Sequence, residues 1–252
     1  MAYNNFSLQD VIDRFEINLL ESTFCDSLPP VTPQPEFLTI FEQSLPLAQR
    51  ARSEKAKSEL LVSPILVEVR RLVGDQVQLF SGEEFNVDSP TGTQCERDRG
   101  LNGFCDFLFS RSTTSYVIQA PILMLVEAKK GELDVGLGQC IAEMFAAEIF
   151  NRTKDKVIPV VYGCVTSGKL WQFLKLEGKD VTIDNNEYQV TPVERILGIL
   201  KWMLSDGVWY QILFVKPSNL ALTPNPSPNF GRGEPERKAK AGWGLSMIQI
   251  QY

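Results

Sequence analysis

The middle of the chain carries two apolar strand patterns with one helical pattern between them. The first strand pattern covers residues 116–131 and is interrupted by Pro121, and the second covers residues 157–166. Between them, residues 136–151 place apolar side chains at helical spacing, at Leu137, Ile141, Met144, Phe145 and Ile149. A helix between two buried strands is typical of a crossover connection. We therefore predict an α/β (α+β) chain with a central mixed β-sheet flanked by helices, and an amphipathic helix packed on that sheet.

Further elements are indicated on both sides of this region. Helical spacing predicts helices over residues 7–21, 36–50, 53–72 and 191–204, the last opening with the capped pattern Thr191, Pro192 and Glu194. The polar sequence SGEE at residues 81–84 predicts a tight turn between two strands of a hairpin. The segments LWQFLKLEG and EYQV predict two strands after residue 166.

Three regions follow from these patterns. Residues 1–52 are expected to form a helical extension packed on the core, and residues 53–218 to form the core domain. Residues 219–252 are rich in proline and glycine and lack apolar periodicity, so we expect a low-complexity, flexible tail. The sequence shows neither a membrane span nor a signal peptide, which predicts a cytoplasmic protein without a membrane partner.

Composition limits the chemistry that the chain can perform. It contains no histidine, which excludes Ser-His-Asp and Cys-His triads, HExxH zinc sites and nucleases with a histidine base. Catalysis would have to use carboxylates and lysine. The five cysteines are scattered without a CxxC pair, so reduced and mostly buried thiols are expected. The net charge of -6 argues against a general nucleic-acid coating protein, but leaves a local basic groove possible.

Carboxylates stand in two apolar strands. Asp106 lies in GFCDFLFS, where alternation predicts one face with Phe104, Asp106 and Leu108 and another with Cys105, Phe107 and Phe109. Glu127 closes the strand of residues 116–131, and Lys129 follows two positions later, on the same predicted face. Mg²⁺ prefers oxygen ligands and needs only one or two carboxylates besides waters. The sequence therefore predicts a magnesium site at Asp106 and Glu127, with Lys129 placed to orient a water or stabilise a phosphate.

Two other polar residues allow alternative interpretations. Glu59 shares a helical face with Val62 and Leu66, so it either reaches water at the edge of that face or points into a site. For Gln139, near the start of the crossover helix, the interpretation from the pattern alone is an exposed helix residue. Gly136 and Gly138 do not complete a phosphate-binding motif, and we interpret them as a source of flexibility at the strand-to-helix turn.

The pattern of Asp106, then Glu127-Ala128-Lys129 about twenty residues later, resembles the PD-(D/E)xK, or restriction endonuclease-like, nuclease superfamily. The order helix, three strands, crossover helix and strand over residues 53–175 is similar to its core. The resemblance implies Asp106, Glu127 and the Ala128 carbonyl as Mg²⁺ ligands, with Mn²⁺ as a substitute, and Lys129 as the catalytic lysine. It also matches Glu59 to an acidic metal-site residue on the first core helix and Gln139 to a glutamine near the lysine.

The resemblance implies a metal-dependent nuclease that hydrolyses the phosphodiester bonds of DNA or RNA, with DNA as the more expected substrate. Homodimers are common among restriction-type members. This chain has Cys105 where the superfamily pattern has proline before the aspartate. The alternative is a catalytically inactive member of the same fold that serves as a binding or assembly module. The acidic composition and the lack of a separate DNA-reading domain favour that alternative.

Overall fold

The computed structural model of the protein describes residues 2–87 and 101–205. The helices are α1 (Leu8–Phe15), α2 (Pro35–Arg50), α3 (Glu54–Lys57), α4 (Ser63–Val73), α5 (Asp134–Thr153) and α6 (Val193–Ser205). The strands are β1 (Asn18–Ser22), β2 (Gln78–Glu84), β3 (Phe104–Ser110), β4 (Ile122–Ala128), β5 (Val161–Thr166), β6 (Leu170–Glu177), β7 (Asp180–Asp184) and β8 (Tyr188–Gln189). The predicted tail at 219–252 and Cys95 lie outside the described residues.

The eight strands form one open mixed sheet. Its order is β1-β7-β6-β5-β4-β3-β2, and β8 pairs with β6. The β4–β5 and β1–β7 pairs are parallel, and the other pairs are antiparallel. One apolar core contains residues of α2, α4 and α6, such as Phe41, Leu66 and Leu197, and the other contains residues of α1 and α5. The predicted central mixed sheet flanked by helices is therefore confirmed.

Helix α5 is the crossover between the parallel strands β4 and β5, as predicted. It is not simply amphipathic, because most of its side chains are buried. The sheet covers one side of the helix, and the N-terminal segment covers much of the rest. The Phe15 ring of α1 stacks on the Phe145 ring of α5 with a centroid distance of 4.5 Å.

The N-terminal region differs from the prediction of one helix over residues 7–21. Helix α1 ends at Phe15, and Glu16 then adopts a left-handed conformation with φ of 52°. The next residues form β1, which pairs in parallel with β7 at the edge of the sheet. The apolar residues of INLL suit either a helix or a strand. They form a strand because the edge of β7 offers backbone hydrogen-bond partners. The extension is therefore not only helical, because it supplies an edge strand.

The predicted hairpin with a turn at SGEE is also wrong. Residues 81–84 belong to β2, which continues antiparallel along β3 with Ser81 opposite Phe107 and Glu83 opposite Cys105. Pairing with β3 supplies the backbone hydrogen bonds of these polar residues. A local sequence pattern does not contain that information. Strand β7 was not predicted.

The remaining helix and strand predictions are largely confirmed. Helix α2 and strands β6 and β8 lie where they were expected, and α6 begins at Val193, one residue after Pro192. The predicted helix over residues 53–72 is divided, because a π-helical segment, Ser58–Val62, separates α3 from α4. In residues 2–87 and 101–205, no helix has both the length and the apolar character needed to cross a membrane. The four described cysteines, Cys25, Cys105, Cys140 and Cys164, are free and buried, as expected.

Candidate active site

Strands β3 and β4 bring Asp106 and Glu127 together. Phe107 pairs with Val126, so Asp106 and Glu127 are the next residues on each strand beyond that pair. The Asp106 Oδ2 atom accepts a hydrogen bond from the Ala128 backbone N–H at 2.8 Å. The Ala128 N–H is therefore bonded to a side chain and not to a backbone carbonyl of β3. This contact holds the Asp106 carboxylate beside the end of β4.

The predicted alternation of β3 is wrong at Cys105. Phe107 and Phe109 pack in the core of α2, α4 and α6, whereas Cys105 packs with Leu108 in the core of α1 and α5. Strict alternation would have grouped Cys105 with Phe107. Cys105 therefore lies on the opposite face of the sheet from the predicted one. It immediately precedes Asp106, in the part of β3 before its pairing with β4 begins at Phe107.

Lys129 follows β4 directly and reaches both a carboxylate and an amide. Its backbone N–H donates to the Thr166 carbonyl at 2.7 Å, which continues the β4–β5 pairing by one residue. Its Nζ atom lies 2.5 Å from Glu127 Oε1 and 2.9 Å from Gln139 Oε1. The side chains of Glu127 and Lys129 are therefore on one face, and Gln139 meets them from α5.

Gln139 is a buried residue, which excludes the interpretation as an exposed helix position. Its Nε2 atom donates to Glu143 Oε1 at 3.0 Å, one helical turn further along α5. Glu143 is fully buried. The sequence analysis did not identify it, although a carboxylate four residues after Gln139, in a helix otherwise rich in small and apolar residues, was an available signal.

Burial and mutual repulsion raise the pKa values of the carboxyl groups. The pKa of Glu127 is raised to about 8, first by burial and then by the charge of Asp106, while Lys129 opposes the shift. Burial also raises the pKa of Asp106, although the Ala128 N–H and the charge of Lys129 lower it. Burial lowers the pKa of Lys129, but the charge and hydrogen bond of Glu127, together with the charges of Asp106 and Glu54, outweigh burial and raise this pKa.

A cavity of about 480 Å³ opens beside Asp106. Its lining includes Glu54, Lys55 and Glu59 from the first core helix. The Glu59 side chain is 64% exposed and its Oε1 lies 3.8 Å from Lys55 Nζ. The predicted role of Glu59 as a metal ligand stays a prediction. Its expected face with Val62 and Leu66 assumed regular α-helical spacing, which the π-helical segment interrupts.

Glu54 is a second residue that the sequence analysis missed. It lines the same cavity as Asp106, and its charge acts on both Glu127 and Lys129, raising the pKa of each. It occupies the first turn of α3, after the N-cap Ser53, whose side chain accepts from the Ala56 N–H. Acidic residues are common in this position for reasons of helix stability alone, so Glu54 carried no separate signal of a role at the site.

The donors present fit a hard cation held by few protein ligands. Glu127 Oε2 is buried and has no hydrogen-bond partner within residues 2–87 and 101–205, and such an orphaned oxygen suits a cation. Within those residues, no group of three or more His, Cys, Asp or Glu side chains is arranged to hold a metal ion. Two carboxylates completed by main-chain oxygen and water are a common set for Mg²⁺. The contribution of the Ala128 carbonyl stays a prediction.

Three basic side chains line a different cavity. A second cavity, of about 580 Å³, is lined by Arg111, Lys154 and Lys156. Arg111 follows the end of β3, whereas Asp106 lies near its start, so the two cavities are separated along the strand by roughly 15 Å. A basic groove around the carboxylates is therefore not formed by the described lining residues, which contribute only Lys55 to the first cavity.

No protein-family model matches the sequence, and a search of curated proteins returned no match.

Proposed function

We propose that the protein is a metal-dependent phosphodiesterase that cleaves nucleic acid, with DNA as the expected substrate. The observation that carries this proposal is the convergence of Asp106 on β3 with Glu127 and Lys129 at the end of β4. Asp106 and Ala128 line an open cavity, so a substrate phosphate has access to the Asp106 side of this cluster.

Each residue of the site has a separate role in the proposed reaction. Asp106 and Glu127 would hold Mg²⁺ or Mn²⁺, and the bound cation supplies charge neutralisation at the phosphate and a more acidic water. Lys129 orients the attacking water or stabilises the negative charge that develops on the phosphate. Gln139 accepts a hydrogen bond from Lys129 and so limits the positions that its amine can occupy.

The order of elements supports a PD-(D/E)xK-type fold for this proposal. Helix α4 precedes the antiparallel strands β2, β3 and β4, and α5 then crosses to β5, which is parallel to β4. The sequence resemblance to the superfamily implies this succession. The carboxylates and the lysine lie at the ends of the second and third of these strands, as the resemblance also implies.

A catalytically inactive binding or assembly module is the second candidate. It is favoured by the short contact between Lys129 Nζ and Glu127 Oε1, because a carboxylate neutralised by lysine has less need of a cation. The acidic side chains around the cavity also oppose the approach of a polyanion.

Cleavage assays with matched variants distinguish the two candidates. Linear, circular and single-stranded DNA, and RNA, would be incubated with the protein and Mg²⁺, Mn²⁺ or EDTA. We expect metal-dependent cleavage that falls by at least about 100-fold in Lys129→Met and Asp106→Asn, since each removes a charged group that acts in the transition state. Lys130→Met, a change at the adjacent exposed lysine, is the control and should retain activity.

Two outcomes of these assays would contradict the proposal. If the wild-type protein cleaves none of these substrates and calorimetry detects no binding of Mn²⁺, the nuclease proposal fails and the binding module is favoured. If cleavage occurs but Lys129→Met and Lys130→Met are equally active, then the activity belongs to another site.

A further inference from the structure

Glu143 is a polar residue in an environment that does not suit one. It lies on α5 with no exposed surface, close enough to Cys105 and Cys140 for its charge to raise the pKa of both thiols. Its Oε2 atom has no hydrogen-bond partner in the described part of the chain, and its Oε1 atom accepts only from Gln139 in the contacts found there. An apolar residue of the same size would avoid this desolvation cost.

The contact with Gln139 determines the orientation of an amide. The glutamine side chain has an oxygen that accepts and an NH₂ group that donates. Lys129 can only donate, so Gln139 must present its oxygen, as it does at 2.9 Å. The NH₂ group then points away from Lys129 and needs an acceptor, which Glu143 Oε1 supplies at 3.0 Å. The reversed amide would place two donors against each other at Lys129.

Building on the proposed function, we propose that Glu143 is a positioning residue: it fixes the orientation of the Gln139 amide, which in turn holds the Lys129 amine against Glu127. The chain of contacts runs from α5 to the end of β4 through three hydrogen bonds. Glu127, Gln139 and Glu143 are buried and Lys129 is partly buried, so water competes weakly for these hydrogen bonds.

The role requires an acceptor and not a negative charge. Burial raises the pKa of Glu143 well above its usual range, and the charge of Glu127 adds to this effect. A protonated carboxyl still has a carbonyl oxygen that accepts from the Gln139 amide. Glutamine at this position keeps such an oxygen, whereas leucine has similar size and lacks it.

These properties define the test. Glu143→Leu should lower kcat by about 10- to 100-fold with little change in KM, the typical cost of removing an outer-shell partner. Its melting temperature should change little, because removal of a partly unsatisfied buried carboxyl group offsets the loss of the acceptor for the Gln139 NH₂ group. Glu143→Gln should stay within a few-fold of wild type. Met144→Leu, a change of similar volume at the next buried residue of α5, is the packing control.

A second measurement does not depend on activity. The Gln139 side-chain NH₂ signals, identified by their loss in Gln139→Leu, should be resolved and slow to exchange in ¹⁵N NMR spectra of wild type, Glu143→Gln and Met144→Leu. In Glu143→Leu, or in Glu143→Ala should the leucine variant not fold, these signals should exchange faster and shift.

Two results overturn the inference. One is a Glu143→Leu protein with wild-type kcat while Lys129→Met is inactive, which leaves the nuclease proposal intact. The other is a set of Gln139 amide signals that do not change between wild type and Glu143→Leu, which refutes the positioning role even if the protein cleaves no substrate. Absence of activity in every variant, with the expected amide signals, contradicts only the proposed function.

Discussion

Glu127 is a buried acid whose raised pKa should make the stability of the metal-free protein depend on pH. Its side chain is almost fully buried, and burial together with the charge of Asp106 raises its pKa to about 8. In the unfolded chain the pKa of a glutamate is about 4.3. Between these two values the folded state binds a proton that the unfolded state has released. The free energy of unfolding should therefore fall as pH rises through this window.

This dependence can be measured on the metal-free protein. Between pH 5 and pH 8 we expect the free energy of unfolding to fall by at most about 1.4 kcal/mol per pH unit from Glu127 alone. Urea denaturation in EDTA at each pH gives the value. Glu127→Gln should flatten the curve, whereas Glu132→Gln, at an exposed position, should not. A wild-type curve that rises over this range would contradict the raised pKa of Glu127.

At single residues, the sequence predicted contacts that follow from local geometry. Glu127 and Lys129 are two positions apart on one strand, and their contact follows from the period of the strand. Glu143 was missed because buried acids are rare, so pattern analysis treats an acid as exposed. The interpretation of Glu59 assumed a regular helix, and no simple sequence rule reveals a π-helical segment.

At the scale of elements, the glycines of α5 permit close packing. They were interpreted as a source of flexibility, but both lie inside the helix. A Cβ atom on Gly138 would lie 2.4 Å from the Phe6 carbonyl oxygen, and one on Gly136 would lie 2.6 Å from Val165 Cγ1. The backbone of the N-terminal segment can therefore approach α5 only because residue 138 has no side chain.

Substitution of Gly138 tests this packing. Alanine favours a helix by about 1 kcal/mol over glycine, but the clash with backbone atoms should outweigh that gain and leave a net loss on the order of 1–2 kcal/mol. Gly131→Ala is the control, because a Cβ atom there would have no neighbour within 4 Å. Chemical denaturation of both variants provides the comparison. Equal stability of Gly138→Ala and wild type would mean that the N-terminal segment does not pack tightly on α5.

Elements with strong internal patterns were predictable, and elements defined by distant partners were not. The apolar run of β4 and the helical spacing of α5 and α6 are properties of the segments themselves. Strand β1 depends on the edge of β7, about 160 residues further along the chain, and the polar end of β2 depends on β3. Pairing between distant segments supplies their hydrogen bonds, and no local pattern records it.

At the scale of the whole molecule, charge and proposed substrate are in conflict. The chain has a net charge of -6, and Glu54, Glu59 and Asp106 all line the cavity beside the candidate site. A DNA phosphate that approaches this cavity meets like charge, with Lys55 as the opposing cation among the described lining residues. Divalent cations bound to the carboxylates would make the local electrostatic potential positive.

We therefore expect DNA binding itself, and not only cleavage, to require a divalent cation. Fluorescence anisotropy with labelled DNA should give a Kd at least about tenfold lower in Ca²⁺ than in EDTA at equal ionic strength, since a bound dication contributes more than 1.4 kcal/mol to phosphate binding. Asp106→Asn should abolish most of this difference, and Glu132→Gln should preserve it. Equal binding in EDTA and Ca²⁺ would place the DNA on another surface, such as the cavity lined by Arg111, Lys154 and Lys156, because only a surface already positive can attract phosphates without a cation.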